Sequence, residues 1–246
     1  MNKKKLFQIS KLLFIIFFIF LILVPFIGIE AKGSRRWIGL PSPFPNFQPV
    51  ELLKPFFIIT IASIISFEKN KKLYFNYFLS FTVLIPIVFL LTMQPDIGQS
   101  ILILFTWLAL IFVSGINLII FFSSFVFIGV IISYLVFYVS KFAYIKNRIL
   151  SFIDPNSGGN YQSEKASEAI INGGFFGKGI GEGTLNSKIP EAHTDYIVSV
   201  ISEEFGIIIV LVIIFLFLIL TYKVFKKINL EKENKKKLIL LGSVSI

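Results

Sequence analysis

The chain has 246 residues, of which 55% are hydrophobic, and 24 basic against 14 acidic residues give it a formal net charge of +10. Its mean hydropathy of +0.83 implies more apolar surface than a water-soluble domain of this length can bury, which excludes a water-soluble domain. The absence of cysteine excludes disulfide frameworks and thiolate metal sites. With one histidine, a zinc or di-iron site would have to be built mostly from carboxylates.

Long apolar segments predict an all-α fold, a polytopic transmembrane helix bundle with about six full spans and the start of a seventh. The six segments are Leu12–Ile29, Val50–Phe67, Tyr74–Met93, Gln99–Ile116, Leu118–Val139 and Tyr196–Phe225. The first covers about 18 residues, or roughly 27 Å of helix, which is enough to cross the hydrocarbon layer. A signal peptide is the alternative for it, but the segment is long and lacks a small-residue cleavage site, which favours a retained helix. The chain ends inside the seventh segment, Leu238–Ile246, which suggests a fragment of a longer protein.

Lysine placement predicts which side of the membrane each connection occupies. If the spans alternate, one side receives Lys3, Lys4, Lys5 and Lys11, then Lys69, Lys71 and Lys72, then the lysine cluster between Lys223 and Lys237. Loops rich in basic residues stay in the cytoplasm, so we predict that this side is cytoplasmic. The polar segment 140–195 is then one long extracytoplasmic loop.

Several basic residues fall on or near the outer side, where the insertion rule gives them no reason to be. Among them are Arg35, Arg36, Lys54 and Lys178. An anionic ligand on that side is one explanation. The alternatives are interfacial anchoring for the two arginines and, for Lys54, an ion pair with Glu51 three residues earlier on the same helix face.

Two shorter motifs are polar where the fold does not require it. In Gln94-Pro95-Asp96, the proline is expected to end one helix, and Asp96 is expected to cap the next by accepting a backbone N–H. In the long loop, glycine occupies every second position from Gly177 to Gly183. This spacing fits no nucleotide-binding motif, and we expect a backbone that lies flat along the bilayer surface or against a ligand.

The segment Pro190–Ile197 places an acid, Asp195, at the mouth of an apolar helix. A carboxylate at the edge of hydrocarbon is costly to keep charged, so it needs a task or a partner. Helix capping is the alternative role for Asp195. His193 is expected to form a hydrogen bond with Asp195 or the backbone and not to act as a metal ligand. Glu203 lies eight residues further, about 12 Å along a helix, and is expected to have a structural role inside the membrane.

In order and spacing, these motifs resemble the FtsW/RodA family of shape, elongation, division and sporulation (SEDS) membrane glycosyltransferases. Position 50 is Val where the family usually has Ser, and Gly181-Glu182-Gly183-Thr184 resembles the division-type FtsW branch. Family members usually have ten spans, so the resemblance implies a partial SEDS-type membrane domain over residues 1–246. The matching pieces are Ser34–Ile38, Gln48–Pro55, Gln94–Gly98, Arg148–Pro155, Tyr161-Gln162, Gly173–Gly179, Pro190–Ile197 and Glu203–Gly206.

The resemblance implies an enzyme that polymerises lipid II, the undecaprenyl-diphosphate disaccharide-pentapeptide, into glycan strands on the outer leaflet. By this resemblance Asp195 is the catalytic base, and a divalent cation, Mg²⁺ or Mn²⁺, is a candidate companion of the diphosphate. No second carboxylate nucleophile is evident in the loop, so we expect inversion at the reacting carbon. The residues assigned to substrate binding are Arg35, Arg36, Glu51, Lys54, Gln94, Asp96, Lys178 and His193.

The resemblance also implies a location in the bacterial inner membrane, at the division septum, and a class B penicillin-binding transpeptidase and other division proteins as partners. No nucleic-acid partner is expected. Two other functions stay open at this point. One is a flippase for the lipid-linked precursor, and the other is a scaffold without catalytic activity that recruits the transpeptidase.

Overall fold

The computed structural model describes residues 3–31, 34–41, 46–66, 73–139, 146, 161–185, 192 and 196–245. By its internal contacts the chain divides into two compact units. The first unit consists of Met1–Phe121 and Lys223–Ile246, and the second unit consists of Phe122–Tyr222. Each unit is described by itself.

Nine helices of five residues or more account for most of the described chain. Four of them contain segments long and apolar enough to cross a membrane, namely Phe7–Ile27, Tyr74–Met93, Leu118–Tyr138 and Ile207–Leu230. This confirms the predicted polytopic helical membrane fold. The helices are α1 (Lys3–Ile27), α2 (Pro49–Ile65), α3 (Leu73–Met93), α4 (Ile97–Val113), α5 (Leu118–Tyr138), α6 (Tyr161–Gly173), α7 (Ile197–Phe205), α8 (Ile207–Leu230) and α9 (Asn234–Ser245).

The prediction of one continuous span over Tyr196–Phe225 is wrong. The chain forms two helices there, α7 and α8, which are separated at Gly206. Gly206 has φ +85°, in the left-handed region that a right-handed helix cannot use. Glu203 therefore belongs to a short helix of nine residues and does not lie along one long membrane helix.

The first unit is built around α2, which packs against α1, α3, α4 and α9. Leu53, Phe57 and Ile61 of α2 are fully buried, as are Ile87 and Leu91 of α3. Gly242 of α9 lies so close to Ile58 that a side chain at this position would collide with it. These contacts make α2 the central helix of this unit.

One end of the first unit carries the lysine-rich segments. The Lys235 Nζ atom lies 3.3 Å from the centre of the Phe7 ring, a cation–π contact between the starts of α9 and α1. Burial lowers the pKa of Lys235, and the nearby charge of Lys11 lowers it further. The two lysine-rich segments are therefore neighbours, in agreement with the prediction that they share one side of the membrane.

The other end of the first unit carries a small antiparallel hairpin that the sequence did not predict. Its strands are β1 (Ile29–Ala31) and β2 (Ser34–Trp37), and Glu30 is paired with Arg35. Beyond the hairpin, Ile38 forms a further bridge with Phe47, two residues before α2 begins. The hairpin thus brings the arginine-containing segment to the N-terminal end of α2.

Candidate functional site

Arg36 fastens the hairpin to the turn between α3 and α4. Its Nη2 donates to the carbonyl oxygen of Pro95 at 2.5 Å, and its Nε donates to the carbonyl oxygen of Gln94 at 3.5 Å. The guanidinium also lies 3.9 Å from Oδ2 of Asp96. A planar group with five fixed N–H donors suits several acceptors at once, and Arg36 uses this property to hold the turn.

Asp96 is buried and receives its hydrogen bond from a distant segment. Its Oδ2 accepts from Nε2 of Gln48 at 2.9 Å, and the side chain makes no capping hydrogen bond to α4. The prediction that Asp96 caps α4 is therefore wrong. Gln48 and Arg36, from two other segments, offer donors to the carboxylate, and a buried carboxylate needs such donors. Asp96 links the starts of α2 and α4.

Gln94 is also buried, and it ties α3 to α1. Its side-chain Nε2 donates to the carbonyl oxygen of Leu21 at 3.1 Å. Through this bond and the hydrogen bond from Arg36 to its backbone oxygen, Gln94 connects the α3–α4 turn to α1 and to the hairpin.

Glu51 and Lys54 form the predicted ion pair, with a distance of 2.7 Å between Nζ and Oε2. The Lys54 side chain is only 5% exposed, whereas that of Glu51 is 47% exposed. Nε2 of Gln99 donates to Oε1 of Glu51 at 2.6 Å, so the pair also joins α2 to α4. Within the described part of the chain, the buried Oε1 of Gln99 has no hydrogen-bond partner.

Gln48 and Gln99 were not among the predicted site residues. Both occur in the motifs that drew attention to their neighbours, but glutamine is common at polar helix ends. Their roles depend on contacts across 48 residues of sequence, which no local pattern reports.

Arg35 differs from Arg36 in its partners and is somewhat more exposed, 47% against 36% of the side chain. It forms an exposed ion pair with Glu30 at 3.3 Å and a long hydrogen bond to the carbonyl oxygen of Pro25 at 3.4 Å. Exposed pairs of this kind contribute little to stability, about 0–1 kcal/mol. The Arg35 guanidinium can therefore exchange its partner for a ligand at small cost.

In the second unit, the glycine loop docks on the end of α7. The backbone N–H groups of Lys178 and Gly179 donate to the carbonyl oxygens of Glu203 (2.9 Å) and Glu204 (3.1 Å). A side chain at Gly177 would collide with the backbone of Glu204 and Phe205. Residues 177–179 thus contact the protein's own helix, whereas nothing lies within 4 Å of a side chain added at Gly181. The expectation that this backbone lies along the bilayer surface or a ligand stays a prediction. The Lys178 side chain is exposed.

The Asp195 and His193 positions lie outside the described residues, but their sequence neighbours are described. Ala192 is buried against Ala169 of α6, and Leu185, Tyr196 and Val200 pack on the same cluster. Ala192 and Tyr196, the described residues nearest to Asp195 in the sequence, therefore both belong to this cluster of the second unit.

Within the described ranges, no three or more His, Asp or Glu side chains form a group that could hold a metal ion. In the first unit, the structure brings together Arg36, Glu51, Lys54, Gln94 and Asp96 around the start of α2. Arg35 lies on the adjoining hairpin, and Lys178 belongs to the second unit. These residues include cations that can bind an anionic ligand and carboxylates that are held in place by hydrogen bonds.

A comparison with sequence models of known protein families identifies the family of this chain. The sequence model of the FtsW/RodA/SpoVE family, described as a cell cycle protein family, matches residues 1–246. The chain belongs to the FtsW/RodA/SpoVE family. The matched range includes the hairpin, the α3–α4 turn and the glycine loop.

Relatives within the FtsW/RodA/SpoVE family carry a functional name. The chain is 35% identical over 229 residues to the probable peptidoglycan glycosyltransferase FtsW of Trichlorobacter lovleyi, covering 90% of this chain and 58% of that protein. It is 33% identical over 201 residues to the protein of the same name from Caulobacter vibrioides, covering 78% of this chain and 50% of the relative. The chain thus spans about half the length of these relatives.

Solved structures share the fold. One, from work titled "Structural coordination of polymerization and crosslinking by a peptidoglycan synthase complex", matches all of this chain and 68% of its own chain, with a TM-score of 0.77 and 24% identity. The rod shape determining protein RodA of Thermus thermophilus matches all of this chain and 64% of its own, with a TM-score of 0.62 and 23% identity.

Proposed function

We propose that the intact protein is a peptidoglycan glycosyltransferase that polymerises lipid II into glycan strands for cell division. The observation that carries this proposal is the 35% identity, over 90% of this chain, to a protein named probable peptidoglycan glycosyltransferase FtsW. The sequence predicts an outer position for Arg35 and Lys178, and two exposed cations on that side suit a diphosphate-linked substrate.

Glycosyl transfer from a diphosphate needs a base for the acceptor hydroxyl and positive charge for the leaving group. In the proposed reaction, Asp195 takes the proton of the acceptor hydroxyl, and the hydroxyl oxygen bonds to the anomeric carbon. The bond from that carbon to the phosphate oxygen breaks, and the diphosphate leaves with the electron pair. A single displacement of this kind inverts the configuration. No step is assigned to a metal ion.

The described residues divide into two proposed tasks. Arg35 in the first unit and Lys178 in the second are exposed cations, so we assign each of them to contact with anionic groups of the substrate. Glu51 is about half exposed at the start of α2, and we assign it to the rest of the substrate, with Lys54 and Gln99 holding its carboxylate in place.

Arg36, Gln94 and Asp96 face the substrate region in this proposal but also hold the α3–α4 turn in place. His193, which lies two residues before Asp195 in the sequence, is also assigned to substrate binding.

We also propose a location at the division septum and a lateral complex with a class B penicillin-binding transpeptidase. A polymerase makes glycan that needs cross-linking, so a partner with that activity is required nearby. Helices α5 and α8 expose rows of large apolar side chains, including Phe127, Val130, Phe215 and Phe217. Such surfaces suit helix packing within the bilayer. Co-purification in mild detergent with one such transpeptidase tests the proposal, and full division activity in cells without any such partner contradicts it.

The test of the function is polymer formation from purified lipid II by the purified intact protein. The wild-type protein is expected to form glycan strands, and Asp195→Asn is expected to form none while it still inserts into the membrane. Glu164→Gln, which changes an exposed acid of α6, is the control and should leave polymerisation unchanged. A flippase or a scaffold would form no polymer in this assay, and wild-type activity of Asp195→Asn would overturn the assignment of the base.

A further inference from the structure

Glu203 is a fully buried carboxylate whose contacts join three separate segments. Its Oε1 accepts hydrogen bonds from Nδ2 of Asn172 at 3.0 Å and from the backbone N–H groups of Thr184 at 3.0 Å and Leu185 at 3.1 Å. The Thr184 hydroxyl lies 3.4 Å from the same oxygen. One side chain of α7 therefore holds both the end of α6 and the exit of the glycine loop.

If Glu203 only filled space in the core, these hydrogen bonds would not be needed. An apolar side chain at this position would fill space without the cost of burying a polar acid. Hydrogen bonds to a carboxylate are shorter and about twice as strong as those between neutral groups. Two of the donors are backbone N–H groups, so they fix the path of the main chain at residues 184 and 185 and not only the position of side chains.

Close backbone packing makes the same junction rigid. A side chain at Gly173, next to Asn172, would collide with the backbone of Ser202 and Glu203. On the other side of the junction, the N–H of Ile207 donates to the carbonyl oxygen of Gly174 at 3.0 Å. Helix α6 therefore cannot slide along α7 without the loss of these contacts.

The junction involves described residues that precede and follow Asp195 in the sequence. Leu185 precedes Asp195 and is held by Glu203, while Tyr196 follows it directly and leads into α7. Ala192 lies between them in sequence, is 4% exposed, and belongs to the same apolar cluster as Leu185 and Tyr196. Only three residues separate Ala192 from Tyr196, and Asp195 is one of them.

We propose that Glu203 is a positioning residue, which holds the loop exit at Thr184 and Leu185 and the end of α6 on α7, the helix that follows Asp195 in the sequence. The catalytic consequence rests on the proposed glycosyltransferase function. The anchoring itself does not, because it concerns only the contacts of Glu203 with Asn172 and with the backbone of Thr184 and Leu185.

The experiment compares Glu203→Ala and Glu203→Gln with the wild type in the intact, purified protein. The glutamine variant keeps a side-chain oxygen that can accept from the same donors, and the control is Glu164→Ala, an exposed acid of α6 in the same unit. Two readouts are taken: kcat and KM for lipid II polymerisation, and hydrogen–deuterium exchange of the peptide that contains Thr184 and Leu185.

The proposal expects kcat of Glu203→Ala to fall about 100-fold, since a misplacement of about 1 Å at a catalytic group has an effect of this size. KM should change by less than about twofold, because substrate binding is not the interaction removed. Glu203→Gln should recover part of kcat, and the exchange of the Thr184 and Leu185 amides should be faster in the alanine variant than in the wild type and the control.

Three results would overturn the proposal. The first is unchanged kcat in Glu203→Ala when the wild type is active. The second is an equal loss in the alanine and glutamine variants that accompanies a lower Tm and a raised KM, which indicates a role in stability alone. The third is unchanged amide exchange. If the wild type forms no polymer, the proposed function fails, and amide exchange still decides whether Glu203 anchors the loop.

Discussion

Arg35 and Arg36 are adjacent in sequence but differ in what holds them. Arg36 binds the carbonyl oxygens of Gln94 and Pro95 and lies near Asp96, whereas Arg35 has an exposed acid as its ion-pair partner. Adjacent residues of a strand point to opposite faces, which separates the two guanidinium groups. We therefore assign different weights to them: Arg36 contributes more to stability, and Arg35 more to ligand binding.

Arg35→Gln is predicted to weaken lipid II binding with little change in Tm, because an exposed ion pair is worth about 0–1 kcal/mol. Arg36→Gln is predicted to lower stability by about 1–3 kcal/mol, because hydrogen bonds to a charged group contribute in this range. Binding to lipid II in nanodiscs and thermal unfolding in detergent measure the two effects. Equal changes for both variants would contradict the division of tasks.

Lys178→Gln is predicted to weaken lipid II binding as Arg35→Gln does, because the Lys178 side chain is exposed and only its backbone is committed to α7. The same binding measurement tests it, with Lys165→Gln as the matched control. Lys165 pairs with Glu168 on α6 at 2.5 Å, so its charge is already balanced within its own helix. Unchanged affinity in Lys178→Gln would leave Lys178 without a role in recognition.

At the scale of elements, the second unit depends on a helix break that is set by one glycine. Gly206 ends α7 with φ +85°, and a side chain there would collide with the backbone of Phe175 and Gly177. The break allows the N–H of Ile207 to pair with Gly174 and allows the glycine loop to reach the end of α7. A continuous helix would close this space.

Gly206→Ala is predicted to destabilise the protein by about 1–3 kcal/mol from the backbone conformation alone, with the collision as a further cost. Gly129→Ala in α5 is the matched control, since nothing lies within 4 Å of the added carbon there. Alanine is favoured over glycine in a helix interior by about 1 kcal/mol, so the control should be neutral or stabilising. Thermal unfolding of both variants in the same detergent gives the comparison, and equal Tm values would count against the break as a structural requirement.

At the scale of the whole molecule, the membrane orientation follows from charge. The structure shows the lysine-rich starts of α1 and α9 side by side in the first unit, as the alternation of spans requires. Residues 1–246 contain no cysteine, so a single cysteine introduced among them can report the side on which that residue lies once any cysteine elsewhere in the intact protein is replaced.

Glu182→Cys, in the exposed glycine loop, is predicted to react from outside with a maleimide that cannot cross the membrane. Lys232→Cys, in the exposed connection between α8 and α9, is predicted to react only after the membrane is made permeable. Cells that express each variant in the intact protein provide the measurement. The reverse pattern of labelling would show that the topology is opposite to the predicted one and that the proposed site does not face the outside.

The sequence by itself determined the membrane class, the positions of the helices in the first unit, the family resemblance and the Glu51–Lys54 pair. Apolar segments of this length must satisfy their backbone groups within the segment, so hydrocarbon leaves them only the helix. The Glu51–Lys54 pair is visible because residues three apart share a helix face.

Only the tertiary structure decided the hairpin at Arg35 and Arg36, the partner of Asp96, the break at Gly206 and the contacts of Glu203. Gln48 and Asp96 are 48 residues apart, and Asn172 and Glu203 are 31 residues apart. A local pattern shows that Asp96 can cap a helix, but it cannot show that a better donor arrives from another segment. Such choices depend on how the helices pack, since a buried acid takes the donors that packing brings to it.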